Sequence, residues 1–145
     1  MQLTKHTDYG LRILIALSVA SDRLMTIEEL ATRHRVSRNH LMKVAQSLVS
    51  LGLVDGVRGR NGGLRLARPA ETIRMGAVVQ ALETDQQLVA CLGDDAATCV
   101  FSGACRLTSA LRKALDAFFR ELDNLTLADL AQNRGAIQAR LNMAA

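Results

Sequence analysis

Three cysteines lie within a stretch of fifteen residues, at Cys91, Cys99 and Cys105, and they are the only cysteines in the chain. The stretch is rich in glycine and other small residues, which predicts a loop. An odd number of cysteines cannot pair completely within one chain. In a reducing compartment, clustered cysteines are more often metal ligands or redox thiols than structural disulfides. The loop therefore predicts a metal centre or a reactive thiol site.

The spacing Cys91-x7-Cys99-x5-Cys105 favours an iron–sulfur cluster over a single zinc ion. Structural zinc sites are closed by four ligands, commonly from closely spaced cysteine pairs, whereas these wider intervals suit a loop around a larger group. A four-iron cluster takes one protein ligand per iron, so three cysteines leave one position for a carboxylate, a histidine or solvent. Three unmetallated thiols, an intersubunit disulfide and a thiol sensor remain alternatives.

The residues before the cysteines predict two helices in a helix-turn-helix. Thr26 and Glu29 have the pattern of a capping box, which begins a short helix ending near His34. Ser37 is a second N-cap, and Gly52 is a natural stop for the helix that follows it. The buried face of this second helix is predicted to carry Leu41, Val44, Ala45 and Leu48.

The first turn of this second helix carries the side chains that would meet DNA bases. Arginine can pair with guanine, asparagine with adenine, and lysine with guanine or phosphate, while a helix N-terminus and a serine hydroxyl suit phosphate. The candidate contacts are Ser37, Arg38, Asn39, His40 and Lys43.

Two short apolar stretches flank a glycine-rich, basic segment after Gly52, which predicts a β-hairpin. A basic hairpin that directly follows a helix-turn-helix indicates a wing whose arginines enter a minor groove. The candidate contacts at its tip are Arg58, Gly59, Arg60 and Asn61. For either element alone, a solvated polar helix face or an ordinary charged turn is the competing interpretation.

The distribution of charge supports a polyanionic partner for the N-terminal half. The net charge of the chain is +4, yet residues 1–75 hold twelve basic against six acidic side chains, and residues 76–145 hold six against eight. No basic amphipathic helix indicates membrane binding, and no apolar run is long enough to span a bilayer. No set of nucleophile and base and no phosphate-binding glycine motif indicates an enzyme. Without a recognisable leader, we expect a cytoplasmic protein.

The remaining patterns predict four further segments. Residues 9–20 are predicted to form a buried helix, and residues 75–83 another after Pro69 breaks the wing strand. Leucines, alanines and phenylalanines from Leu107 to Leu122 form one apolar stripe over four turns, which a second subunit is expected to cover. Thr126 begins one more short helix, and the tail after Asn133 is expected to be loosely ordered.

The predicted fold class is mainly α: a winged helix-turn-helix domain with a small β-hairpin wing and a long C-terminal dimerisation helix. We expect a DNA-binding domain over residues 1–75. Residues 76–145 are expected to hold the cysteine loop, at about 90–106, and the dimerisation helix.

Several motifs resemble the NsrR branch of the Rrf2 superfamily, and the similarity covers nearly the whole chain except the last dozen residues. The matching motifs are Gln2-Leu3-Thr4, Thr7-Asp8-Tyr9-Gly10-Leu11-Arg12, Val36-Ser37-Arg38-Asn39-His40-Leu41-Met42-Lys43, Arg58-Gly59-Arg60-Asn61-Gly62-Gly63, Ala104-Cys105-Arg106-Leu107 and the segment 121–130. The resemblance implies a homodimeric winged-helix repressor that binds double-stranded operator DNA and senses nitric oxide through an iron–sulfur cluster.

The resemblance also implies a ligand set. Cys91, Cys99 and Cys105 stand at the positions of the cluster ligands, and Asp8 stands where a carboxylate reaches the cluster from the partner subunit. The related IscR branch has a histidine ligand three residues after the third cysteine, where this chain has Thr108. A 4Fe–4S cluster is therefore favoured over a 2Fe–2S cluster, which remains possible.

Other roles for the same residues stay open. Asp8 could instead cap a helix or form an i,i+4 ion pair with Arg12, and the two roles are compatible if Arg12 orients the carboxylate beside the cluster. His6 is a weaker ligand candidate, and His34 is expected to be a surface residue. The alternative functions are a related regulator of iron–sulfur or redox status, and a zinc- or thiol-based redox regulator on the same fold.

Overall fold

The computed structural model describes residues 2–20 and 23–143, which form seven α-helices and one β-hairpin. The elements in chain order are α1 (Lys5–Val19), α2 (Ile27–His34), α3 (Arg38–Ser50), β1 (Val54–Val57), β2 (Gly63–Leu66), α4 (Met75–Leu82), α5 (Arg106–Asp123), α6 (Leu127–Leu130) and α7 (Arg134–Arg140). The predicted fold class, a mainly α protein with a winged helix-turn-helix, is confirmed.

Helices α2 and α3 form the helix-turn-helix where the caps predict it. Ser37 caps α3 by accepting a hydrogen bond from the His40 amide at 3.4 Å, and Gly52 follows the helix with a φ of 69°. All four residues predicted for the buried face of α3 are buried, and they pack against α1 and α2. The recognition helix is thereby fixed to the centre of the fold.

Helix α2 begins at Thr26 as predicted, but the second half of its capping box is wrong. The Thr26 hydroxyl accepts from the Glu29 amide at 3.0 Å. The Glu29 carboxylate, however, accepts from Arg23 at 2.7 Å and from Arg33 at 2.9 Å. Two guanidinium groups attract a carboxylate more strongly than one backbone amide does, so the side chain turns towards them.

Helix α1 begins four residues earlier than the apolar run at residues 9–20 predicts. Thr4 caps it by accepting from the Thr7 amide at 3.2 Å. The polar first turn, which contains His6 and Asp8, has no apolar periodicity and was therefore missed. The consequence is that Asp8 lies in the first turn of α1.

The hairpin forms as predicted, with β1 and β2 antiparallel and Val57 opposite Gly63. A bridge between Met25 and Leu64 attaches the hairpin to the segment that precedes α2. The wing is therefore joined by backbone hydrogen bonds to the helix-turn-helix.

The C-terminal half is tied to the N-terminal core by both helices that follow α5. Leu127 of α6 is fully buried, and Leu141, just after α7, is buried as well. The expectation of a loosely ordered tail after Asn133 is wrong. Residues 134–140 form a helix that packs on α1, and the Gln138 side chain donates to the Val19 carbonyl at 2.8 Å.

Helix α5 packs against α4 at one close approach. A Cβ atom at Gly76 would collide with the Phe119 carbonyl oxygen, and the Asp123 carboxylate accepts from the Ala77 amide at 2.9 Å. No residue of α5 is buried within the single chain, and Leu107 is 60% exposed. The apolar stripe of this helix is therefore only partly covered.

No helix among the described residues is both long and apolar enough to cross a membrane. The boundary between the two predicted domains at residue 75 stays a prediction. One continuous hydrophobic core runs across that boundary and joins Ile73 to Met75, Val78 and Leu127.

Candidate nucleic-acid interface and cysteine loop

The N-terminal turn of α3 presents most of the predicted DNA contacts to solvent. Ser37, Arg38, Asn39 and Lys43 are all exposed. Within the described chain, Arg38 has a carboxylate partner, Glu28 of α2, at 3.2 Å, and its guanidinium also lies 3.3 Å from the Met42 sulfur. Both partners of this ion pair are exposed, so water weakens the attraction between them. The Arg38 guanidinium is therefore able to exchange Glu28 for a group of a nucleic acid.

His40 is positioned differently from its neighbours. It is half-buried, and its ring meets the Tyr9 ring of α1 edge to face, with centroids 4.8 Å apart. The Arg12 guanidinium lies 5.6 Å from the centroid of the same tyrosine ring. A chain of contacts therefore leads from the first turns of α1 to the first turn of the recognition helix.

The wing tip carries unpaired positive charge. The Gly62 amide donates to the Gly59 carbonyl at 3.0 Å. Gly59 has a φ of 113°, which is unfavourable for any residue other than glycine. Arg58 and Arg60 are exposed and form no ion pair with any described residue. A slim turn with two free guanidinium groups is suited to a narrow, negatively charged groove.

Asp8 and Arg12 form a bidentate ion pair on the surface of α1. The Arg12 Nε donates to one carboxylate oxygen at 3.0 Å and its Nη2 donates to the other at 2.7 Å. This is the i,i+4 pairing foreseen as one of the roles of Asp8. The carboxylate is 44% exposed, so a group from outside the chain can still reach it.

Glu83 is a buried carboxylate that the sequence does not single out. Its Oε1 accepts from the Thr4 amide at 2.7 Å and from the Thr4 hydroxyl at 3.0 Å, and the residue is only 7% exposed. Burial acts to raise the pKa of this carboxyl, but hydrogen bonds from Thr7 and Thr4 outweigh it and lower the pKa. The segment leading to Cys91 is thereby attached to the start of the helix that carries Asp8.

The cysteine loop contains short 3-10 turns and ends directly at α5. All three thiols are free and half-buried. The Cys91 sulfur accepts from the Thr108 hydroxyl at 3.4 Å, and Cys105 is the residue that precedes the first turn of α5. The loop is consequently anchored at both ends by the same helix.

The three cysteines lie in one loop, but their sulfur atoms do not converge on a common metal position. Within residues 2–20 and 23–143, no three histidine, cysteine or acidic side chains converge as metal ligands do. Asp8 lies in a different element, on α1. The donor set itself, three thiols with a carboxylate elsewhere, fits an iron–sulfur cluster better than a hard-metal site.

His34 is not the surface residue that the sequence predicts. Its Nε2 atom is buried and has no hydrogen-bond partner in the described part of the chain. Burial lowers the pKa of the imidazole, and the Arg12 charge lowers it further, while Asp8 acts in the opposite direction. The unexpected packing of α7 against α1 places α7 beside His34 and leaves this residue half-buried, so only the tertiary structure reveals its surroundings.

Comparison with protein families gives one consistent match over most of the chain. Residues 3–133 match the Rrf2 model, described as an iron-dependent transcriptional regulator. The chain is 43% identical over 144 residues to the HTH-type transcriptional regulator NsrR of Halalkalibacterium halodurans, covering 99% of both sequences. It is also 42% identical to the NsrR regulator of Bacillus licheniformis, covering 98% of this chain and 100% of that one.

Solved structures agree with the sequence comparison. The oxidized form of CymR from Staphylococcus aureus superimposes with a TM-score of 0.72 at 26% identity, covering 90% of this chain and 96% of that one. An IscR structure from T. potens superimposes equally well, with a TM-score of 0.72, at 23% identity and with 92% and 88% coverage. The second likeness supports the fold alone.

Proposed function

Because the chain belongs to the Rrf2 family of transcriptional regulators, we propose that it is a repressor controlled by an iron–sulfur cluster that responds to nitric oxide. It binds double-stranded operator DNA as a homodimer in the cytoplasm. The family and the relatives described above are transcriptional regulators rather than enzymes, as the sequence predicts.

One observation carries the proposal: the only three cysteines lie in a loop between a winged helix-turn-helix and an amphipathic helix with no buried residue. A group bound by this loop lies beside the surface that a second subunit would cover. A conformational change in the loop would then alter the dimer interface. It would also alter the start of α1, because Glu83 binds Thr4 there.

Cys91, Cys99 and Cys105 would hold a 4Fe–4S cluster, with Asp8 of the partner subunit as the fourth ligand. When bound, the cluster supplies iron that nitric oxide attacks. A carboxylate oxygen is a harder donor than a thiolate, so the position held by Asp8 is the weakest point of the ligand set. Arg12 donates to both oxygens of Asp8 and fixes their orientation towards solvent.

Release of Asp8 would reach the DNA-binding surface through α1. The Tyr9 ring contacts His40 on α3, and α1 packs directly against α3. A shift of α1 therefore displaces the recognition helix. In a dimer this changes the separation of the two helices, which must match the spacing of the operator half-sites.

The first test is purification without oxygen, followed by visible spectroscopy and analysis of iron and sulfide. We expect a brown protein whose affinity for its operator falls after exposure to nitric oxide. A colourless, iron-free protein that binds its operator regardless of nitric oxide would refute the proposal. Equimolar zinc, or a disulfide between subunits that alone controls DNA affinity, would establish the alternative zinc or thiol regulator.

Two variants separate the ligand role of Asp8 from its ion pair. Asp8→Ala removes both the carboxylate and the ion pair, whereas Arg12→Ala removes the ion pair and leaves the carboxylate. A ligand role predicts that Asp8→Ala alters the visible spectrum and the stability of the cluster far more than Arg12→Ala does. Equal effects of the two substitutions would exclude Asp8 as a ligand.

A third variant tests the assignment of the recognition helix. Arg38→Ala is expected to weaken operator binding by roughly ten- to a hundredfold, the usual range for loss of one bidentate base contact, without changing the visible spectrum. Arg35→Ala is a suitable control because Arg35 is exposed at the end of α2, before the recognition helix begins. An unchanged affinity for Arg38→Ala would show that this turn does not contact bases.

A further inference from the structure

An apolar groove lies between α1 and α7. Its floor is formed by Ile15, Ala16 and Ile137, and its rim includes Arg12 and Arg140. The groove has a volume of about 280 Å³. This is well above the roughly 150 Å³ of an apolar cavity that accepts benzene. It is therefore large enough for one aromatic side chain.

The cysteine loop carries the most exposed apolar pair in the described chain. Val100 is 90% exposed and Phe101 is 67% exposed, and both lie between Cys99 and Cys105. Two large apolar side chains side by side in water are unfavourable unless a partner covers them. The rest of the described chain leaves both side chains mostly uncovered.

The groove lies on the same face of α1 as Asp8. Positions 8, 12, 15 and 16 follow the i, i+4, i+7 and i+8 spacing of one helical stripe, so Arg12, Ile15 and Ala16 continue from Asp8 along the helix. At about 1.5 Å per residue, Ile15 and Ala16 lie roughly 11–12 Å beyond Asp8. Whatever binds Asp8 is therefore close to the groove.

The reach of Phe101 matches this distance. Cys99 and Phe101 lie in one turn, closed by a hydrogen bond from the Ser102 amide to the Cys99 carbonyl at 2.9 Å, so their Cα atoms are less than about 7 Å apart, and a phenylalanine side chain adds about 5 Å more. If Cys99 lies near Asp8 of another subunit, the ring of Phe101 can reach the groove without any change in the helices.

The charges of the two surfaces are complementary. The loop between Cys91 and Cys105 contains two acidic residues, Asp94 and Asp95, both exposed, and no basic residue. Arg140 supplies the opposite charge beside the groove, whereas the charge of Arg12 is already paired with Asp8. Opposite charges on facing surfaces favour one orientation of docking over others.

We propose that Phe101 of the partner subunit inserts into the groove between α1 and α7, so that each cysteine loop docks on the other chain beside Asp8. The proposal rests on the proposed function for the crossing of Asp8 between subunits. It adds an apolar anchor that keeps the loop next to α1. Helix α7 contacts α1, and the residue after it, Leu141, accepts a hydrogen bond from Arg33 of α2. Through the anchor, α7 therefore connects the loop to the helix-turn-helix.

Photo-crosslinking in the cluster-loaded full-length dimer tests this contact. Phe101 is replaced by p-benzoylphenylalanine in one subunit, and the second subunit is labelled with ¹⁵N, so that mass spectrometry distinguishes links between chains from links within one. We expect an intersubunit link to peptides from residues 12–16 or 134–141. A link to any other surface, a link within one chain, or no link would each overturn the proposal.

A matched pair of substitutions supports the assignment of the groove. Ala136→Trp fills the groove, whereas Ala139→Trp adds the same side chain at an exposed position of α7 that does not line it. Ala136→Trp is expected to lower the crosslink yield by roughly tenfold, the scale of losing one buried aromatic anchor, and Ala139→Trp to leave it unchanged. Equal yields in both variants would contradict the docking.

The visible spectrum keeps this test separate from that of the proposed function. A dimer that retains the cluster and its response to nitric oxide but gives no crosslink into the groove refutes the docking alone. A protein that never assembles a cluster refutes the proposed function. An intersubunit crosslink into the groove in such a protein would still establish the contact between the two chains.

Discussion

At the scale of single residues, Glu83 connects the segment before the cysteines to the first turn of α1. Its carboxylate accepts two hydrogen bonds from Thr4, and it is almost completely buried. Glu83→Gln is expected to lower the free energy of unfolding at pH 7 by about 1–3 kcal/mol, because a charged acceptor is lost from a buried site. Urea unfolding measures the change, with the exposed Glu71→Gln as the control.

The pH dependence of this effect has a definite sign. The pKa of Glu83 is lowered in the folded chain, because the hydrogen bonds from Thr7 and Thr4 outweigh the effect of burial. Its contribution to stability is therefore present above the pKa of the unfolded state, about 4.3, and is lost as the pH falls through the folded pKa. The difference between wild type and Glu83→Gln should shrink on acidification; a constant difference would show that ionisation is irrelevant.

A second residue-scale prediction concerns Glu28, which pairs with Arg38 on the DNA-facing side of the helix-turn-helix. The carboxylate is 74% exposed and must release the arginine before that side chain can contact DNA. Glu28→Gln is expected to tighten operator binding by roughly two- to fivefold, since an exposed ion pair is weak. Fluorescence anisotropy measures the affinity for the operator. If Glu28 acts by holding Arg38, Glu28→Gln should not tighten binding when Arg38→Ala is already present.

Single residues also show what sequence can and cannot provide. The N-caps Thr26 and Ser37 were predictable because a cap depends on neighbours three residues away. Glu83 and His34 were not, because their surroundings come from Thr4 and from α7, which are distant in the sequence. The roles of the cysteines, of Asp8 and of the DNA contacts stay predictions.

At the scale of elements, α7 acts as a clamp on the helix-turn-helix. The Arg33 guanidinium donates to the Leu141 carbonyl at 2.6 Å and to the Asn142 carbonyl at 2.7 Å, and it also pairs with Glu29. Arg33 lies in α2, and its side chain satisfies backbone carbonyls at the end of α7. This contact ties α7 to the helix-turn-helix. The sequence did not predict α7 because only seven residues form it and its stability comes from this packing.

Arg33→Ala is expected to lower the free energy of unfolding by about 1–3 kcal/mol, since two carbonyls and a carboxylate lose a charged donor. Arg35→Ala, at an exposed neighbour without a described side-chain partner, should have little effect. Thermal unfolding followed by circular dichroism measures both. If α7 were only a loose appendage, the two variants would unfold at the same temperature.

The wing makes a separate prediction about electrostatics. Arg58 and Arg60 have no ion pair within the described chain and extend from a glycine turn. If both contact phosphates or a minor groove, the double variant Arg58→Gln, Arg60→Gln should reduce the slope of log affinity against log salt concentration by about two. Arg120→Gln, on the exposed face of α5, is the control. An unchanged slope would place the wing away from DNA.

At the scale of the whole molecule, the described chain leaves the apolar stripe of α5 without full cover. Helix α5 has eighteen residues, a continuous apolar stripe and no buried side chain. The cysteines lie at one end of this helix, and their proposed fourth ligand lies on α1, apart from them. A second subunit would cover the stripe and supply the missing ligand at the same time, so dimerisation and assembly of the site depend on the same surface.

Leu111→Lys tests this dependence, because it places a charge in the middle of the stripe. We expect monomers in sedimentation velocity, an unchanged helical content by circular dichroism, and a loss of operator affinity of roughly a hundredfold or more, since two linked half-site contacts become independent. Ala117→Lys introduces the same charge at an exposed position of α5 outside the stripe and should preserve the dimer. If Leu111→Lys remained a dimer with full operator affinity, the stripe would not be the interface, and a cluster ligand donated by a partner subunit would need a different contact surface.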